Sequence, residues 1–287
     1  MARTVYLGTS DFAAAVLRLL AQTTHRPQLV VTRPDRPAGR GRTLTPPPVA
    51  TLAGELGIDL DQPDDVNAPD AVARIAAAQP EAVIVCAFGA LIRDPLLADH
   101  EILNVHPSLL PRWRGAAPIE RAIMAGDSET GVSIMRLTAG LDSGPVCLQQ
   151  TEPITADDTF GSLAPRLEGL GAMLLVRALE ERPPFAEQDE SLVTYAEKLT
   201  GEVRTLDPAA SAAERARVVR ALSPHIGARV ALGDGTFLGV LRAHAHGEAL
   251  VLDEVQPPGG RPMPYADWAR GRPDQAAALG LGPGDGP

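Results

Sequence analysis

The chain has 287 residues, 45% of them hydrophobic and 22% charged, with a formal net charge of −10. That length can bury a sizeable core and fits one large or two smaller domains; the acidic balance excludes a nucleic-acid binder that works through overall basicity, while leaving room for a local basic patch. The sequence has no run of about 18 uncharged apolar residues, no signal-peptide pattern after Met1, and only two cysteines, Cys86 and Cys147, with no CxxC spacing. A membrane span, a disulfide framework and a zinc site are therefore not expected, and the chain reads as cytoplasmic.

Residues 4–7 read as a strand ending at Gly8-Thr9-Ser10. Residues 11–22 follow as a helix capped by Ser10, with Phe12, Val16, Leu19 and Leu20 on one apolar face. This is the βα opening of an α/β fold, but neither a G-x-G-x-x-G fingerprint nor a Walker pattern accompanies it, so a nicotinamide cofactor is not expected. Residues 28–32 supply a second strand and 49–56 a short helix. The intervening segment, 33–42, carries Arg33, Arg36, Arg40 and Arg42 against the single Asp35. Its Pro and Gly content predicts an exposed loop without regular structure, either a solvated loop or a finger for phosphate.

The apolar run 82–86 predicts a central parallel strand covered on both faces, leading into a loop over 87–92. Residues 101–106 read as a further strand whose period of two puts Asn104 and His106 on one face and Val105 on the other. Pro107 ends the pairing, so the two polar residues lie at a carboxyl strand end, where open α/β sheets bind ligands. A single His or Asn in that place is ordinarily structural. Residues 117–125 predict a helix with Pro118 near its first position and Gly126 as its stop.

Strands are expected over 130–137 and 146–150, around the tight loop Gly140-Leu141-Asp142-Ser143-Gly144. An aspartate among glycines is ordinarily a turn residue. Phe160, Leu163, Leu167, Leu170 and Leu174 predict a long helix starting near Ser162, which would leave Pro165 in its first turn. A domain boundary is expected at 200–206, then a helix over 212–222 and a hairpin over 228–242. The Gly- and Pro-rich tail 269–287 is expected to be disordered. The fold class is α/β: a Rossmann-like, mostly parallel sheet with flanking helices over 1–200, and a small β-rich domain over 207–268.

The ordered run Asn104-Val105-His106-Pro107-Ser108-Leu109-Leu110-Pro111, followed by Gly140-Leu141-Asp142-Ser143-Gly144, resembles the folate-dependent formyltransferase family. Trp113-Arg114-Gly115-Ala116-Ala117-Pro118 and the arginine loop resemble the branch that formylates initiator methionyl-tRNA for translation initiation. The likeness is close over about residues 3–200 and thin beyond, where 207–268 holds only 62 residues for a barrel of the oligonucleotide-binding kind.

The resemblance implies an enzyme with 10-formyltetrahydrofolate as formyl donor and no metal. It implies Asn104, His106 and Asp142 as catalytic residues; Ser143 stands where that branch often has Thr. Ser108, Leu109, Leu110 and Pro111 would form the folate turn, and Phe88, Gly89 and Leu91 would line the pterin slot. Arg36, Arg40 and Arg42 would contact the tRNA acceptor stem, Arg40 carrying most of that role, and Arg114 would join them as a phosphate contact. A monomer is expected. Two alternatives stand beside this: an N-formyltransferase for an amino-sugar nucleotide or a glycinamide ribonucleotide, and a non-catalytic RNA-binding protein on the same scaffold.

Overall fold

A computed structural model of the chain describes residues 2–38 and 43–280. The chain opens with β1 (Thr4–Gly8), α1 (Asp11–Leu20) and β2 (Leu29–Val31). The Ser10 hydroxyl accepts from the Ala13 backbone N–H and caps α1, and Phe12, Ala13, Val16, Leu17 and Leu20 are buried. Leu19, expected on the buried face, is 41% exposed; Leu17 takes its place. Gly8 is needed where β1 passes α1, because a Cβ there would lie 2.7 Å from the Tyr6 ring and 2.9 Å from the Ala13 methyl.

The arginine-rich segment is not wholly irregular. Arg36–Ala38 (β3) and Thr43–Thr45 (β4) form a two-stranded antiparallel ribbon, with Arg36 opposite Thr45. Pro37 is tolerated because a two-stranded ribbon leaves one edge of each strand unpaired.

Next come α2 (Pro48–Leu56), β5 (Asp59–Asp61), α3 (Pro69–Ala77), β6 (Ala82–Cys86), α4 (Leu96–Asp99) and β7 (Ile102–His106). They are followed by β8 (Arg114–Gly115), α5 (Pro118–Ala125), β9 (Glu129–Arg136), β10 (Val146–Pro153), α6 (Phe160–Glu181) and β11 (Tyr195–Ala196). The main sheet has the order β10-β9-β7-β6-β1-β2-β5. β5, β2, β1, β6 and β7 run parallel, and β9 is antiparallel to β7. Every residue of β1, β6 and β7 is buried, as strands covered on both faces require. The register pairs Gly8 with Cys86, Val85 with Asn104 and His106 with Ser133, so the carboxyl ends of β1, β6 and β7 share one edge of the sheet. Helix α6 begins at Phe160 and accommodates Pro165 within it, two residues ahead of the expected start.

The last part of the chain holds α7 (Ala212–Leu222), β12 (Ala228–Ala231), β13 (Phe237–His246), β14 (Ala249–Gln256), β15 (Met263–Pro264), α8 (Tyr265–Gly271) and α9 (Pro273–Leu279). β12 to β15 form a four-stranded sheet in sequence order, antiparallel at each pairing. Its core contains Val219, Leu222, Leu238, Val240, Leu252, Val255, Tyr265 and Trp268. Residues 269–280 are not the disordered segment expected of them: they end α8 and form α9, with Ala269, Ala276 and Leu279 packed on that core.

The chain divides into two compact units, and the division is not one cut near residue 200. The first comprises Met1–Arg114, Gly131–Glu152 and Ala164–Tyr195; the second comprises Gly115–Thr130, Pro153–Leu163 and Ala196–Pro287. Helix α5 belongs with the second because it packs on α7, with Arg217 Nε donating to the Met124 carbonyl at 2.9 Å and His225 Nε2 lying 3.0 Å from Glu120 Oε1. Among the described residues, no helix is long and apolar enough to cross a membrane.

Candidate active site

β7 delivers Asn104 and His106 to the carboxyl edge of the sheet, 7% and 4% exposed, as the alternation of the strand dictates. The loop between β9 and β10 brings Asp142 to the same place. Its turn is fixed by crowding: a Cβ at Gly144 would lie 1.9 Å from the Arg136 carbonyl oxygen, and one at Gly140 2.3 Å from Ser143 Oγ. Between these glycines Asp142 takes φ +44°, a left-handed conformation that Asp tolerates better than most residues.

The three side chains meet. Asn104 Nδ2 donates to Asp142 Oδ1 at 3.4 Å, and His106 Nδ1 lies 3.6 Å from Asp142 Oδ2. On its far side the imidazole places Nε2 2.9 Å from the carbonyl oxygen of Trp113, a residue with φ +62°. A carbonyl only accepts, so Nε2 carries the proton in that bond. Nδ1 then has a proton to offer toward Asp142 only as imidazolium. The arrangement presents an amide N–H, an imidazole and a carboxylate around one small space: two donors for a developing oxyanion and an acceptor for a proton. Both contacts to Asp142 are long for hydrogen bonds.

The residues expected to hold a folate separate into two groups. Ser108 is fully buried and donates its hydroxyl to the Arg112 carbonyl at 2.6 Å, so it shapes the turn from within. Ser133 Oγ donates to the Ser108 carbonyl at 2.6 Å and accepts from Leu110 N, and Gln149 Nε2 donates to the Leu110 carbonyl at 2.7 Å. Leu110 is buried, whereas Leu109 and Pro111 are half-buried. Phe88 is likewise buried: its ring belongs to the core of the first unit, and its carbonyl accepts from Thr9 Oγ1 at 2.7 Å. Gly89 and Leu91 of the same loop are exposed.

Arg114, read from the sequence as a phosphate contact, is 3% exposed and committed to the protein itself. Its Nη2 and Nη1 donate to the Glu190 carboxylate at 2.7 and 3.2 Å, and its Nε and Nη2 donate to Gln188 Oε1 at 3.0 and 2.8 Å. The two planar groups fit fork to fork, which is why a buried guanidinium is tolerated. Arg36 is exposed on β3; Arg40 and Arg42 lie outside the described residues. Sequence reading missed Gln188, Glu190, Ser133, Gln149 and the Trp113 carbonyl, and no spacing marks them: Gln188 is 46 residues from Asp142.

Burial pushes the Cys86 thiol up to about 12 and raises that of Cys147, so neither is a ready thiolate. Among the described residues no group of three His, Cys, Asp or Glu is placed to hold a metal ion.

Known proteins resemble this chain in sequence and in fold. A family model described as formyl transferase matches residues 2–179. A methionyl-tRNA formyltransferase of Halorhodospira halophila is 43% identical over 302 aligned positions, covering 94% of this chain and 96% of its own. Among solved structures, a methionyl-tRNA formyltransferase from Clostridium thermocellum superposes with TM-score 0.62 at 13% identity, covering 89% of this chain and 98% of its own. HypX from Aquifex aeolicus, in complex with tetrahydrofolic acid, gives TM-score 0.63 at 18% identity, over 93% of this chain and 47% of its own. Those two likenesses speak for the fold alone. With the family model spanning more than half of the sequence and a relative this similar over nearly all of it, the chain belongs to the formyl transferase family, among the methionyl-tRNA formyltransferases.

Proposed function

We propose that this chain transfers the formyl group of 10-formyltetrahydrofolate to the α-amine of initiator methionyl-tRNA, in the cytoplasm and as a monomer. The observation that carries the reading is the meeting of Asn104 and His106 with Asp142, at 3.4 and 3.6 Å from its two carboxylate oxygens, at the carboxyl edge of the sheet. The names of the relatives supply the substrate class; the side chains supply the chemistry.

The amine attacks the formyl carbon, a C–N bond forms, and negative charge develops on the formyl oxygen. The Asn104 amide and the His106 imidazolium donate hydrogen bonds to that oxygen, which is worth most in a site from which water is excluded. The attacking nitrogen sheds a proton to the Asp142 carboxylate. As the bond to the folate nitrogen breaks, that nitrogen takes a proton from His106, leaving tetrahydrofolate and the N-formyl product. Leu109, Leu110 and Pro111, in the turn that Ser108 holds, border the donor together with Gly89 and Leu91. Arg36, Arg40 and Arg42 face the acceptor stem, where guanidinium groups suit phosphate; Arg114 has no part in that contact.

The deciding experiment offers the protein 10-formyltetrahydrofolate with methionyl-tRNA, free methionine or an amino-sugar nucleotide and asks which amine is acylated. Formylation of methionyl-tRNA alone is expected. Acylation of the sugar nucleotide in its place would overturn the substrate, and no acylation of any amine would overturn the activity.

A further inference from the structure

Asp142 is held in its left-handed turn by a side chain from a distant loop. The Gln188 amide nitrogen donates to the backbone carbonyl of Asp142 at 2.8 Å and to that of Gly144 at 2.7 Å, using both of its N–H groups. Its oxygen accepts from Arg114 Nε at 3.0 Å and Nη2 at 2.8 Å. The orientation of the amide is therefore not arbitrary: flipped, it would set NH2 against a guanidinium and its oxygen against two carbonyls. Arg114 is in turn gripped by the Glu190 carboxylate. The result is a chain of bonds, Glu190 to Arg114 to Gln188 to the turn 142–144, ending at the residue whose carboxylate lies between Asn104 and His106.

We infer that Gln188 is a positioning residue for the formyl transfer, acting through Asp142, with Arg114 as its anchor. This rests on the catalytic reading of Asp142 given above. The strain of a non-glycine residue at φ +44° has to be held by its surroundings, and the two carbonyls flanking Ser143 are the natural handles. Releasing them would let the carboxylate drift. Contacts already at 3.4 and 3.6 Å have no slack to lose.

The test compares steady-state formylation of methionyl-tRNA by wild type, Gln188→Leu, Asp142→Asn and the double variant. Gln188→Leu, close in size but without either donor, is expected to lower kcat by about 10- to 100-fold while the KM values for both substrates stay within about twofold, since misplacement by about 1 Å suffices for a loss of that order. In the Asp142→Asn background the same change is expected to cost almost nothing further, because its effect passes through the missing carboxylate. A residue that merely supported the fold would lower the active fraction and the melting temperature and would multiply the loss in both backgrounds. Unchanged kcat in Gln188→Leu, or an undiminished loss in the double variant, overturns the inference. Near-wild-type turnover by Asp142→Asn overturns the catalytic reading instead. Should Gln188→Leu fail to fold, Arg114→Lys provides the second route: it keeps a cation beside Glu190 but cannot fork onto Gln188, and a kcat loss with KM preserved is again expected.

Discussion

His106 places Nε2 2.9 Å from the carbonyl oxygen of Trp113, and that one bond decides which ring nitrogen faces Asp142. The imidazole is thus oriented by a backbone carbonyl seven residues further along the chain, on a residue with φ +62°. His106→Ala is expected to lower kcat by about 100-fold or more while circular dichroism and melting stay close to wild type. His106→Gln, which can donate one N–H in either direction but cannot be cationic, should recover little of the loss. Turnover near wild type in His106→Gln would count against a charged imidazole.

Asn104 faces Asp142 across 3.4 Å. Asn104→Asp replaces that donor with a second carboxylate at the same distance, where like charges repel. We expect Asn104→Ala to lose about 100-fold in kcat, and Asn104→Asp to lose at least as much and to melt at a lower temperature than the alanine variant. Parallel melting curves and kcat measurements on the two variants check the ranking.

Arg114 separates the buried reading from the phosphate reading. Because its guanidinium is 3% exposed and occupied by Glu190 and Gln188, Arg114→Lys should leave the salt dependence of methionyl-tRNA binding unchanged. A phosphate contact would instead reduce the slope of log affinity against log salt by about one. Filter binding across a salt series distinguishes them.

The Arg114 hydrogen bond is the leading reason that the Glu190 carboxyl is held below its ordinary range. A depressed acid contributes stability above its unfolded value and loses it as pH falls through the folded one. The melting-temperature gap between wild type and Glu190→Gln should therefore be constant at pH values above the ordinary glutamate range and close as pH falls below it. Glu190 is mostly exposed, so solvent keeps that gap small.

Gly144 and Gly169 form a matched pair. A methyl at Gly144 would lie 1.9 Å from a backbone oxygen, whereas one at Gly169, in α6, meets nothing within 4 Å. Gly144→Ala should lower the melting temperature by at least about 5 °C and abolish activity. Gly169→Ala should raise it by about 1–3 °C through the smaller entropy of the unfolded chain. Calorimetry on both variants provides the comparison.

By itself the sequence determined the local elements and the polar residues that they carry. The period of two in 102–106 already put Asn104 and His106 on one face, Pro107 marked the strand end, and the apolar run 82–86 identified a strand buried on both sides. Ser10 and Gly126 announced helix ends because capping is a matter of a few neighbouring atoms. The tertiary structure alone decided what lies against what. It took Arg114, Ser108 and Phe88 out of solvent and α5 into the unit built around α7. Above all it brought Gln188 to Asp142, since a hydrogen bond between residues 46 apart follows from where loops converge and leaves no periodicity behind.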